Sequence, residues 1–187
     1  MKDSWIFVFT GTSGSGRKTI AHRTGSELGL THVISCTTRQ RREKELTDRD
    51  YHYLTGEEFE AVAQSGGFAQ MTTIDKERYG IRKSDLDEAL SGGNSVYLIL
   101  NKEGASAIKS LYGDRVIRLF LYVDKQTVRE RLEAKGTRYS VIESYLNHYP
   151  EEVLYRKQCE HVFENVEISR TLAALRTAFK DYVTAGN

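Results

Sequence analysis

Residues 5–9 form the unbroken apolar run Trp5-Ile6-Phe7-Val8-Phe9, and residues 11–19 read Gly-Thr-Ser-Gly-Ser-Gly-Arg-Lys-Thr. An apolar run of this length without polar alternation is a strand buried on both faces. A glycine-rich loop after such a strand and before a helix has the layout of a P-loop. There, successive backbone N–H groups at a helix N-terminus cradle an anion. The expected ligand is a nucleotide, held by Gly11, Ser13, Gly14, Ser15, Gly16, Arg17, Lys18 and Thr19. The loop departs from the pattern at its chemical end. Arg17 stands where the loop lysine is expected, Lys18 where a Ser or Thr reaches the metal, and Thr19 one position further. Backbone donors do not depend on the side chain at 17, so anion binding survives the change. Catalysis is more exposed to it, because a planar guanidinium and a compact ammonium are not equivalent. Lys18, about 100° further round the helix, points elsewhere.

The rest of the chain alternates in the same way. Apolar runs at Ile6–Thr10, His32–Ser35, Val96–Leu100, Val116–Val123 and Val162–Phe163 read as buried strands. Helical segments separate them at Lys18–Leu28, Glu103–Tyr112, Lys125–Lys135 and Ser169 to about Val183, with Ser169 as the expected cap of the last. The alternation predicts an α/β core with a parallel sheet and helices on both faces. A chain of 187 residues is enough for one domain carrying an inserted lobe. The stretch from Cys36 to Ser91 breaks the alternation and is polar. It holds strand candidates at 51–54 and 68–74 and a helix at Glu57–Ser65, and reads as a small lobe inserted into the core. The expected division is a core of residues 1–35 and 92–187, a lobe of 36–91 and a mobile lid at about 136–150, between two helices.

Charge and cysteine content remove several function classes. The net charge is +1, so no global basic field calls for nucleic acid or an anionic membrane. No apolar run is long enough to span a bilayer. Cys36 and Cys159 lack metal-ligand spacing and read as reduced thiols. The five histidines form no ligand pattern. A soluble, cytoplasmic protein is expected.

A second constellation lies in the lobe. Residues 35–53 read Ser-Cys-Thr-Thr-Arg-Gln-Arg-Arg-Glu-Lys-Glu-Leu-Thr-Asp-Arg-Asp-Tyr-His-Tyr. Together, Arg39, Arg42, Tyr51 and Tyr79 form a set that holds a phosphomonoester: guanidinium forks bond its oxygens bidentately and phenols add directed hydrogen bonds. From the residues alone, a solvated basic loop beside two packed aromatic rings is an equal alternative.

The P-loop, Ser-x-Thr-Thr-Arg-x-x-Arg at 35–42, Asp50-Tyr51, Gly67-Phe68, Tyr79-Gly80 and Arg131-Leu132 together resemble the guanylate kinase family, in order and in spacing. The resemblance implies a P-loop kinase core, a GMP-binding lobe and a lid, with ATP and Mg²⁺ as cofactors. It implies that Ser35, Arg39, Arg42, Tyr51 and Tyr79 bind the GMP phosphate and that Glu45 lines the same site. It also implies catalytic roles for Arg17 and Lys18, and for Arg131 from the lid.

Departures from the family pattern cluster at function. Gln70 replaces a glutamate that reads guanine, and Ile81 replaces a small hydroxyl residue. Ile99 and Asn101 replace the two carboxylates of Asp-x-Asp-x-x-Gly, Lys135 replaces an arginine, and Ser144-Tyr145 replaces an arginine pair. Lid arginines compensate charge on the transferring group, so their loss costs rate more than binding. Two functions remain in view. One is an ATP-dependent nucleoside-monophosphate kinase acting on GMP, slow or altered in base choice. The other is a catalytically weak module that binds a nucleotide or a phosphorylated ligand, by analogy with the guanylate-kinase-like domains of membrane-associated scaffolds.

Overall fold

The strand that leads into the P-loop, β1 (Ile6–Gly11), is the middle strand of the larger sheet. The sheet is seen in a computed structural model that describes residues 4–183; residues 1–3 and 184–187 of the expected core lie outside the described residues. The side chains of β1 alternate between two apolar layers, as a strand requires. Ile6 and Val8 pack with Leu98, Ala105 and Ile108 on one face. Phe7 and Phe9 pack with Ile20, Leu172, Leu175 and Phe179 on the other. One layer is therefore closed by α4 (Lys102–Tyr112), the other by α1 (Arg17–Leu28) and α7 (Ile168–Val183). Around β1 run β2 (Thr31–His32), β7 (Val96–Ile99), β8 (Val116–Tyr122) and β9 (His161–Glu164). Their order is β2-β7-β1-β8-β9, and every pair is parallel. The expected α/β core with a parallel sheet is what the chain builds.

The segment between β2 and β7 forms a second sheet. Its strands are β3 (Cys36–Thr37), β4 (His52–Tyr53), β5 (Phe68–Ile74) and β6 (Glu77–Arg82), in the order β4-β3-β6-β5. Helix α2 (Gly56–Gln64) starts with a reciprocal cap: Thr55 Oγ1 accepts from the Glu58 N–H at 3.1 Å, and Glu58 accepts from the Thr55 N–H at 2.7 Å. Phe59 of α2 packs on Phe68 and Cys36 in a small separate core. The following helix, α3 (Lys83–Ser91), returns to the main core through Leu86.

Three sequence expectations need correction. The polar stretch 136–150 is mostly helix: α5 (Lys125–Ala134) is followed after a short connection by α6 (Tyr139–Leu154). Ile142, Tyr145, Leu146 and Tyr149 recur at helical spacing and pack on Val128 and Leu132, and this packing outweighs the missing N–H of Pro150 inside the helix. The strand His32–Ser35 ends at His32, where the chain leaves the sheet for the lobe, although the Val33 N–H still bonds the Tyr97 carbonyl at 3.1 Å. Ser169 lies inside the first turn of α7, and the Glu167 carbonyl accepts from the Thr171 N–H at 3.1 Å.

Among the described residues no helix is long and apolar enough to cross a membrane. Both cysteines are free, and burial raises the Cys36 thiol to about 11 and the Cys159 thiol to about 12, so each stays protonated.

Candidate functional site

At the carboxyl end of β1 the backbone turns through residues 12–16 into α1. This end of a parallel sheet is where open α/β folds place their ligands. Two glycines are required there. A Cβ on Gly11 (φ +147°) meets the Leu121 carbonyl oxygen at 1.9 Å, and Gly16 caps α1 in the left-handed region at φ 79°. A cleft of about 690 Å³ opens beside this turn. Gly11, Ser13 and Arg17 line it from the loop, and Ser35, Arg39, Arg42, Tyr51, Gln70 and Tyr79 from the lobe. Asn101 closes one side.

The lobe residues converge as the sequence leads one to expect. The Arg39 guanidinium lies 5.4 Å from the centre of the Tyr51 ring, and the Tyr51 and Tyr79 rings are 5.9 Å apart, edge to face. Register does this: Thr37 pairs with Tyr79 across β3 and β6, so the strand after Ser35 delivers the arginine loop beside the second tyrosine. Glu45 is not on the cleft wall. It accepts from Arg39 Nη2 at 2.8 and 3.0 Å, from the Arg42 N–H at 2.9 Å and from the Tyr53 hydroxyl at 2.8 Å. Burial raises the Glu45 carboxyl, but those donors outweigh it and hold it at about 2. Glu45 is therefore an anion that fixes the arginine loop.

The loop cations are separated. Arg17 turns toward the sheet: Nη1 donates to the Gly11 carbonyl at 3.3 Å and the Leu100 carbonyl at 3.1 Å. Burial lowers its pKa, partly offset by Tyr51 and Glu152. Lys18 leaves the helix on another side, pairs with Asp50 and lies 5.4 Å from the Tyr51 ring centre. Thr19 is exposed, and neither it nor Gly14, Ser15, Gly16 or Lys18 lines the cleft wall. Arg131 stands behind the loop. Nη1 reaches the Ser15 carbonyl at 3.4 Å and Nη2 the Asn165 carbonyl at 2.7 Å, while Asn165 Nδ2 donates to the Ser15 carbonyl at 2.7 Å.

Sequence reasoning placed Ser144 and Tyr145 in the lid and missed the rest of the face that α6 presents to the cleft. Ser144, Tyr145, His148, Glu151 and Glu152 line the cleft, and their spacing of one, four, seven and eight puts them on one helical face. That pattern is visible in the sequence once the stretch is read as helix. Glu152 reaches the P-loop itself, accepting from the Ser13 N–H and hydroxyl, each at 3.0 Å.

The groups through which the resemblance implies Mg²⁺ are absent from their positions. Lys18 replaces the hydroxyl, and Ile99 and Asn101 replace the carboxylates. Asn101 Oδ1 is already used, accepting from the Gly104 N–H at 3.0 Å as the cap of α4. An ammonium, an alkyl chain and a committed amide do not fit a divalent ion.

The fold is that of the P-loop kinases. The guanylate kinase family model matches residues 4–182, and the chain belongs to that family. A guanylate kinase from Francisella tularensis subsp. holarctica (strain OSU18) is 27% identical over 187 residues, covering 97% of this chain and 98% of that protein. One from Fusobacterium nucleatum subsp. nucleatum is 28% identical over 166 residues, covering 88% and 90%. The crystal structure of guanylate kinase from Anaplasma phagocytophilum has the same fold, with a TM-score of 0.79 at 18% identity over 97% of this chain and 87% of that one.

Proposed function

We propose that this protein is an ATP-dependent nucleoside-monophosphate kinase of guanylate kinase type, moving the terminal phosphoryl group of ATP to GMP and releasing ADP and GDP. The observation that carries the reading is a single cleft with the P-loop on one wall and the Arg39–Tyr51–Tyr79 cluster on the other. In this reading the P-loop backbone holds the donor phosphates. Ser35, Arg39, Arg42, Tyr51 and Tyr79 hold the acceptor phosphate, with Glu45 fixing Arg39. Gln70 and Asn101 face the base. Arg17 stands at the carboxyl ends of β1 and β7, where the transferring group passes. Arg131 keeps the P-loop in shape through Ser15. In this reading the chain divides into a core of 1–35 and 92–187, an acceptor lobe of 36–91 and a lid at about 136–150, most of which is helix α6. The two unpaired cysteines support a reducing compartment such as the cytoplasm, and the near-neutral net charge supports a small-molecule substrate rather than nucleic acid or membrane.

The reaction needs two anions brought together and charge compensated between them; it needs no covalent intermediate on the protein. A coupled assay of ADP formation, with ATP and each nucleoside monophosphate in turn, tests the reading. Saturable ADP formation with GMP is expected. Tight GMP binding without ADP formation from any monophosphate would instead mark a binding module.

A further inference from the structure

Two features of the α1 N-terminus remain unexplained by the family pattern. The position that should offer a metal-binding hydroxyl offers an ammonium, and that ammonium is held in place rather than left in solvent. Lys18 Nζ pairs with Asp50 Oδ1, while Asp50 Oδ2 accepts from the Leu46 N–H at 2.9 Å. Lys18's hydrogen bond, then the Leu46 N–H, keep the Asp50 carboxyl below its ordinary range. Tyr51, next in sequence, belongs to the acceptor cluster, and its ring centre is 5.4 Å from Lys18 Nζ. Lys18 thus stands in the first turn of α1, at the end of the P-loop, and its ammonium is tied to the lobe beside Tyr51.

We infer that Lys18 takes the place of the divalent cation at the donor phosphates, so that ATP is bound without Mg²⁺. This rests on the donor-site reading above and deepens it. The charges support it. A P-loop with one lysine and a divalent ion gathers three positive charges; Arg17 and Lys18 supply two from consecutive residues once the ATP phosphates displace Asp50 from Lys18 and Glu152 from Ser13, and the backbone N–H groups supply partial charge besides. The replacements at Ile99 and Asn101 point the same way, since carboxylates there would draw a metal ion. An ammonium at the metal position repels a divalent ion. By reciprocity, ATP held beside Lys18 binds Mg²⁺ less tightly than free ATP does, and Mg²⁺ therefore does not strengthen ATP binding.

Calorimetric titration of ATP into the full chain, once in EDTA and once in Mg²⁺, tests the inference. The wild-type affinity in EDTA is expected to equal or exceed that in Mg²⁺, within about threefold. Lys18→Thr restores a hydroxyl; its affinity in EDTA is expected to fall about tenfold or more and to recover when Mg²⁺ is added. Lys18→Gln removes the charge without restoring the hydroxyl, and should lose affinity in both buffers. Circular dichroism checks that each variant is folded, and the wild-type comparison stands alone if one is not. ATP binding by the wild type that needs Mg²⁺ by about tenfold or more overturns the inference and leaves the kinase reading intact. Binding in neither buffer overturns the donor-site reading and the inference together.

Discussion

Glu152 on α6 accepts hydrogen bonds from both the N–H and the hydroxyl of Ser13, each at 3.0 Å. A carboxylate of the helix that follows α5 therefore occupies donors of the P-loop. A terminal phosphate entering the loop meets this charge and must displace it. Neutralising it by Glu152→Gln should tighten ATP binding, by about threefold to tenfold for a charge repulsion of about 1 kcal/mol in a partly hydrated cleft. Calorimetry with ATP measures this. A loss of affinity would show that Glu152 shapes the loop for its ligand instead.

The acceptor cluster should depend on Arg39 more than on any neighbour, because Glu45 fixes its guanidinium beside Tyr51. A charge-assisted hydrogen bond to phosphate contributes about 1.5–3 kcal/mol. Arg39→Ala is expected to weaken GMP binding about tenfold to a hundredfold and to leave ATP binding unchanged. Equal GMP affinity in the variant would remove the cluster from the site.

Gln70 is 6% exposed, and its Oε1 has no hydrogen-bond partner although it lines the cleft. Its amide offers one acceptor and one NH₂ donor, where a carboxylate accepts from both guanine N–H groups. Preference for GMP over AMP should accordingly be weak in this chain and sharpen in Gln70→Glu. The ratio of the two affinities in each protein decides it; strong wild-type selectivity for GMP is the contrary result.

What the sequence made legible follows the range of the interactions. β1, the P-loop and α1 are read from neighbouring residues, and their bounds fall within a residue or so of expectation. β3 has two residues and exists because His52 and Tyr53 pair with it on one side and Tyr79 and Gly80, far along the chain, on the other. The same holds at the site. Arg39 and Tyr51 are candidates by residue type, with a solvated loop as an equal alternative, and the family resemblance is what assigns them to the acceptor phosphate, whereas the contact of Glu152 with Ser13 spans 139 residues of sequence and needs the fold. The two directions taken by Arg17 and Lys18 follow from helix geometry, but their partners Leu100 and Asp50 do not.

Away from the cleft, Arg118, 9% exposed, is bonded to Glu160 through Nε at 3.1 Å and Nη2 at 3.0 Å, with Lys109 Nζ also 3.1 Å from that carboxylate. Burial raises Glu160, but the Arg118 and Lys109 bonds prevail and hold it at about 2. Glu160→Gln removes the charge that Arg118 and Lys109 bond to, at a partly exposed site where Arg118 keeps its bonds to the Tyr155 hydroxyl and the Gln158 carbonyl, and should cost about 1–2 kcal/mol of stability, read from urea unfolding. For wild type, the stabilisation from this carboxylate is complete above its unfolded pKa near 4.5 and disappears as pH falls toward 2.

His32 gives a second pH window. It stacks on Tyr97 at 4.6 Å, and burial, then the nearby His22 and Lys18, lower its pKa to about 4 from 6.5. The folded state keeps it neutral while the unfolded chain takes up a proton, so stability should decline as pH drops from 6.5 toward 4. His32→Phe keeps a ring on Tyr97 and removes the titration. Its unfolding midpoint should lose less over that interval than the wild type's; parallel curves would mean His32 is not the group responsible.

In the proposed function this chain is a guanylate-kinase-type enzyme whose binding parts are kept and whose transfer parts are weakened. The measurement that tests it most directly is turnover with ATP and GMP in Mg²⁺, for wild type and for the chain carrying Arg17→Lys and Lys18→Ser together. Wild type should turn over slowly, and the paired change should raise the rate about a hundredfold, with little change in ATP affinity, since one well-placed cation contributes about 3 kcal/mol to the transition state. Wild-type turnover already equal to that of the restored loop, or no ADP from either protein, would contradict it.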